Sequence, residues 1–281
     1  MQLSILIRNL NEAISLRQTL CAIKKQQTNF EYEVVVIDNE SDDNSVEVAT
    51  SMGCKVFTLK RNEFTFGHAL NFGIERCKGD IILILSAHVI LLNEFFLQNI
   101  PAYFTDTKVA ALRFVQPTSP EEMSSAIKEG AQKLTWNDTS NFVTDNWKKI
   151  IVNHCSAIRK SCWEIQQFDE KIFASEDKIW SLEILKKGFG IVYNVPGFYV
   201  YAKPYNRANT IKRTTIEEAA KELLTGKTDP IFSKSYSIVF FQKIVSGLKK
   251  MRVDLKNHQE VYKGVKAYKK AYGNCFNNKE K

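Results

Sequence analysis

Ile81-Ile82-Leu83-Ile84-Leu85 is an unbroken apolar run that ends abruptly in Ser86-Ala87-His88. Five apolar residues without polar alternation predict a short strand buried on both faces, as in a parallel sheet covered by helices. In open sheets of that kind ligands collect just beyond the carboxyl ends of the strands, which makes Ser86, Ala87 and His88 candidates to face a ligand. On position alone, an ordinary strand-to-loop turn explains the tripeptide equally well.

Upstream, residues 3–7 and 32–37 are further β-type runs and 55–59 a fourth. Residues 12–26 carry Leu16, Leu20 and Ile23 at helical spacing, and 45–52 form a second short helix. Strands alternating with helices predict a βαβαβ half over about residues 1–100, built on a parallel sheet. Downstream the periodicity weakens. Pro117, Pro120 and the polar stretch 137–141 predict loops around a helix at 121–134. A loop at 167–175, a helix at 176–187 stopped by Gly188, and short strands at 191–193 and 198–201 follow.

The 281 residues, 44% of them hydrophobic, suffice for a packed core. The net charge of +8 is unevenly placed: residues 234–281 hold 12 Lys and Arg against Asp254, Glu260 and Glu280, so the remainder is close to neutral. This basic, mostly helical stretch suits an anionic membrane surface, or packing on the domain with a solvated basic face. No nucleic-acid-binding motif accompanies the charge, so nucleic acid is not an expected partner. Six cysteines without paired spacing point to reduced thiols, and four scattered histidines without HxxxH spacing argue against structural zinc. With no signal-peptide pattern at the start and no apolar stretch near the ~20 residues that span a bilayer, a cytosolic chain is expected.

Several polar residues sit where chemistry is done. Asp38 ends the second strand run; such an acid can accept hydrogen bonds from a base or ribose, or cap the helix near Asn44, as Asp42 or Asp43 equally can. Residues 8–12 contain no glycine, which counts against a dinucleotide-binding loop and against a triphosphate-binding nucleotidyltransferase. Gly226-Lys227-Thr228 imitates the end of a P-loop, but Lys221 stands where the first glycine is required. Gly67, His68 and Asn71, in Phe66-Gly67-His68-Ala69-Leu70-Asn71-Phe72-Gly73, can approach a sugar or phosphate. Phe168-Asp169-Glu170 and Glu176-Asp177 place four carboxylates within ten positions, the second pair opening a helix after Ser175, where capping is the plain alternative.

In motif and order, the series 4–12, 34–43, 67–73, 79–88, 168–170, 176–177 and 187–189 resembles the family 2 glycosyltransferases, especially rhamnosyltransferase-like members that build bacterial surface polysaccharides. The resemblance covers roughly residues 1–215 and implies a GT-A fold, a Rossmann-like mixed sheet flanked by helices. Residues 1–100 would be the nucleotide-binding half, 101–215 the acceptor half, and 216–281 a basic helical extension. It further implies that Arg8, Asn9 and Glu12 border the nucleotide, with Asp38 reaching the base and Gly67, His68 and Asn71 near ribose and phosphates. Asp177 would be the base of an inverting single displacement, with Glu176 and Trp180 shaping the acceptor site. The acceptor would be a glycan or lipid-linked glycan, and the basic tail would suit a lipid-linked one at the inner membrane face.

Two positions depart from the family pattern. Ser86-Ala87-His88 replaces the usual Asp-x-Asp signature, and Tyr201-Ala202-Lys203 replaces a segment that often carries histidine. Both normally serve a metal-diphosphate complex. Lys203, helped by Arg207 or Arg213, is expected to supply the missing charge, with weak or absent metal dependence; the competing expectation is that His88 binds Mn²⁺ or Mg²⁺. The altered tripeptide also keeps open a catalytically silent, sugar-nucleotide-binding subunit of an assembly complex.

Overall fold

A computed structural model describes residues 2–172, 174–202, 207–225 and 263. The chain divides into two compact units, Met1–Lys203 and Pro204–Lys281. In the first, the strands are β1 (Leu3–Asn9), β2 (Tyr32–Asp38), β3 (Lys55–Thr58), β4 (Ile81–Ser86), β5 (Val89–Leu91), β6 (Val109–Val115), β7 (Gln132–Leu134), β8 (Cys155–Arg159) and β9 (Gly190–Tyr201). Its helices are α1 (Ala13–Lys24), α2 (Ser45–Ser51), α3 (Phe66–Arg76), α4 (Pro120–Glu129), α5 (Phe142–Asn146), α6 (Lys160–Ile165) and α7 (Glu176–Lys186). The second unit contributes α8 (Arg207–Thr225).

The strands form one mixed sheet in the order β3-β2-β1-β4-β8-β6-β9-β5, with β7 added on β9. β3, β2, β1 and β4 run parallel. β8 then pairs antiparallel with both β4 and β6. The switch after β4 puts the ends of β1 and β4 beside the beginning of β8, and the candidate site forms there. β4 is buried along its whole length because it lies between β1 and β8, which is why it needs apolar residues on both faces. Leu16, Leu20 and Ile23 of α1 are buried against this sheet, as their spacing predicts.

Two expectations change. The helix expected at 121–134 ends at Glu129, because Gly130 adopts φ 67° and reverses the chain into β7. The two short strands expected at 191–193 and 198–201 are one strand, β9, which carries Pro196-Gly197 in an irregularity: Phe114 pairs Val195 and Val115 pairs Phe198. Skipping two residues removes the ladder bond proline cannot donate. Of the described cysteines, all are free; Cys77, Cys155 and Cys162 are buried and Cys21 is exposed. Among the described residues no helix is long and apolar enough to cross a membrane.

Candidate active site

Three clusters of polar residues gather at the carboxyl end of the parallel strands. The first joins β1 to β2. Asp38 is buried, and its carboxylate accepts hydrogen bonds from Asn9 Nδ2 (2.8 Å), Ser41 N (2.8 Å) and Ser41 Oγ (2.6 Å). Its oxygens are thus engaged in holding the β2 turn. The helix-capping alternative falls instead to Asp43, which accepts from Ser45 N at 3.0 Å and also from Ala13 N, at the start of α1, at 3.0 Å.

The second cluster contains the paired acids. α7 begins after Ser175, whose left-handed backbone (φ 69°) turns the chain sharply while its hydroxyl makes no capping bond, against the simple capping reading. Glu176 and Asp177 are buried in the first turn. Asn153, just before β8, ties them together. Its backbone N–H donates to Asp177 Oδ2 (3.0 Å), its side-chain amide donates to Glu176 Oε1, and its carbonyl accepts from the Arg8 guanidinium (3.0 Å). Asp177 Oδ1 accepts from Lys178 N at 2.8 Å. Burial first, then the charge of Asp177, lifts the Glu176 carboxyl to about 7, against the pull of Arg8 and Asn153. Burial pushes the Arg8 guanidinium below its ordinary value, and Glu176 and Asp177 push it back up. Arg8 Nε and Glu176 Oε2 are buried without a hydrogen-bond partner, so this charge group is pre-arranged with unspent polar capacity.

The tripeptide after β4 meets the same place. Ser86 N donates to the His154 carbonyl (3.1 Å), and the Ala87 carbonyl accepts from Thr19 Oγ1 (2.9 Å). His88 Nδ1 lies 2.5 Å from Glu12 Oε2, and its ring meets Tyr201 edge-on with centroids 4.4 Å apart. His154 packs against Tyr201 at 5.0 Å and bonds the Tyr199 hydroxyl at 2.9 Å. Glu12, His88, Tyr201, His154, Asn153, Arg8 and Asp177 therefore form one continuous set. Asn153 carried no sequence signal; antiparallel pairing of β4 with β8 brings it in.

The third cluster corrects a ligand-facing expectation. A Cβ on Gly67 would lie 2.3 Å from the Asp169 carbonyl oxygen, so this glycine admits a close approach of protein backbone. His68 Nδ1 lies 3.0 Å from Glu170 Oε2. Asn71 is buried and bonded to Trp163, Phe168 and Glu170. Trp180, 1% exposed, stacks on Phe168 and turns to the interior, with no open face for an acceptor. Lys203 and, apart from Lys263, the 234–281 stretch lie outside the described residues, as do the side chains of Arg207 and Arg213.

A divalent cation at the 86–88 turn is what the resemblance leads one to expect. Among the described residues no three His, Cys, Asp or Glu side chains converge to hold one. His88 offers its buried Nε2, which has no partner among the described residues, while Nδ1 is taken by Glu12. One nitrogen is a poor fit for a resident metal.

Residues 4–165 match the model of glycosyl transferase family 2, and the chain belongs to that family. It is 24% identical to an O-antigen chain rhamnosyltransferase of Salmonella typhimurium over 203 residues, 69% of this chain and 64% of that relative's length. The chain thus spans somewhat under two thirds of that curated relative. The fold resembles a mannosyltransferase of Pyrobaculum calidifontis in complex with GDP-Man and Mn²⁺ (TM-score 0.65, 17% identity, 96% of this chain and 87% of that one). It also resembles S. aureus TarS in complex with UDP-GlcNAc (TM-score 0.60, 17% identity, 98% and 88%). These likenesses make the mixed sheet a GT-A fold.

Proposed function

We propose that this chain is an inverting glycosyltransferase that moves a sugar from a nucleotide-activated donor to a glycan or lipid-linked glycan during bacterial surface polysaccharide synthesis. The observation that carries the reading is the group Arg8, Asn153, Glu176 and Asp177 at the sheet's switch point, in a chain of this family. Asp177 takes the proton of the acceptor hydroxyl. The freed oxygen bonds to the anomeric carbon, the bond from that carbon to the diphosphate oxygen breaks, and the nucleoside diphosphate leaves with the electron pair. The backbone N–H groups of Asn153 and Lys178 fix the two Asp177 oxygens, each of which keeps a lone pair for the acceptor's proton, and Arg8 balances the negative charge of the acidic pair.

Screening UDP-, GDP- and dTDP-sugars by thermal shift tests the donor half of the reading. A true donor at 100 times its Kd adds about 2.7 kcal/mol of stability, a shift of several degrees. No shift with any nucleotide or nucleotide sugar would reject it.

Metal dependence is expected to be weak, because a cation would have to arrive largely on the donor's own diphosphate oxygens. Turnover in EDTA is expected to fall by about tenfold or less, whereas His88→Ala is expected to cost roughly 10–100-fold by removing the buried ring that positions Glu12 at the turn. Complete loss in EDTA with rescue by Mn²⁺ would reverse this assignment.

A further inference from the structure

We propose that Asn71 is a positioning residue for the helix that carries Asp177, acting through the loop before it and touching no ligand. This rests on Asp177 being the base. The carboxamide of Asn71 has two N–H donors and two acceptor lone pairs, and all four are used inside the protein. Nδ2 donates to the Phe168 carbonyl (2.9 Å) and to Glu170 Oε1 (2.8 Å). Oδ1 accepts from Trp163 Nε1 (2.8 Å) and from Phe168 N (3.1 Å). The side chain is 4% exposed, which leaves it neither surface nor bonding capacity for a sugar or phosphate.

These four bonds tie α3 to α6 and to the loop leading into α7. Two further contacts from α3 hold the same loop: Gly67 lies tight against Asp169, and His68 lies against Glu170. The loop in turn grips α7. The Phe168 ring stacks on Trp180 with centroids 5.5 Å apart and planes at 28°, and Trp180 Nε1 donates to the Gln166 carbonyl at 2.5 Å. Trp180 lies three residues beyond Asp177, close to one helical turn, so whatever fixes Trp180 fixes the height and rotation of the carboxylate. Misplacing a reacting group by about 1 Å costs on the order of 100-fold in rate, so a loosened loop is felt in turnover before it is felt in donor binding.

The variant Asn71→Asp keeps the acceptor oxygen and replaces the donor by a second carboxylate facing Glu170 and the Phe168 carbonyl. It is expected to lower kcat by about 30-fold or more while the Kd for UDP, GDP or dTDP, whichever the thermal-shift screen selects, stays within about twofold. Adding Glu170→Gln supplies an amide donor to the new carboxylate and is expected to recover at least about fivefold of the lost kcat, a rescue that general loss of packing does not produce. A rise in nucleotide Kd that accounts for the loss in kcat/KM would overturn the proposal by making Asn71 a ligand contact. So would an unchanged kcat, or a double variant no better than the single one. Should Asn71→Asp fail to fold, Glu170→Ala opens the same latch from the solvent side, since Glu170 is 44% exposed. A drop of about fivefold in kcat at constant nucleotide Kd supports the latch, and an unchanged kcat rejects it. If Asp177→Asn keeps its turnover while Asn71→Asp loses it, the base assignment fails and the latch stands, serving another residue of α7.

Discussion

Asp177→Asn is expected to lower sugar transfer by about 10³-fold or more while nucleotide binding changes by no more than about twofold. The asymmetry follows from where the side chain sits. Asp177 is bonded to the backbone of Asn153 and to its own helix's first turn, so its carboxylate is already fixed before any acceptor arrives. An amide of the same shape still accepts one of those bonds but has no basic lone pair to take a proton. Folding should survive, because the replacement fills the same volume and relieves a charge beside Glu176, which offsets the one backbone N–H it leaves unpaired. Single-turnover measurements with bound donor would separate the chemical step from donor capture. Turnover within tenfold of the parent would remove Asp177 from the role of base.

The parallel half was legible in the sequence because its main elements have a local cause: largely apolar runs for β1, β2 and β4, unbroken in β4 from Ile81 to Leu85, and Leu16, Leu20 and Ile23 for α1. The second half was blurred where one residue decides between two structures. Gly130 lies inside an apparently helical pattern, and only its positive φ separates α4 from β7. Pro196 breaks a strand pattern that the irregular pairing of β6 with β9 carries through.

The candidate site divides in the same manner. Motif order pointed to Glu176, Asp177, Arg8 and His88, which the fold places together at the carboxyl ends of the central strands β1 and β4. The partners that determine what those residues can do came from far along the chain: Asn153 for the acids, Glu12 for His88, Glu170 for His68. Spacing cannot report such partners, because they depend on antiparallel pairing and on a loop folded back over α3. The same ignorance of partners made Gly67 and Asn71 resemble ligand contacts, although a close backbone approach and a carboxamide bonded on all sides are what the fold requires of them.

Glu176 gives the second large effect, and it is read as stability against pH. Its carboxyl is lifted to about 7 in the folded chain, above the ordinary carboxylate value of 4.5, by burial and by Asp177. The folded state therefore holds this proton more tightly than the unfolded state does. Its contribution is fully present below about pH 4.5, declines as pH rises toward about 7, and is gone above that, where the fold must keep a buried charge. The total is on the order of a few kcal/mol. Glu176→Gln cannot ionise and should behave like the protonated parent. Its Tm is expected to exceed that of the parent by several degrees at pH 8, and the gap should close as pH falls to about 5. Asn153 can still donate to the amide oxygen, so the anchor between β8 and α7 survives the change. The measurement is a pair of melting curves at each pH. A gap that stays constant from pH 5 to 8 would mean that Glu176 is ionised throughout, with Arg8 compensating its charge more strongly than burial and Asp177 oppose it.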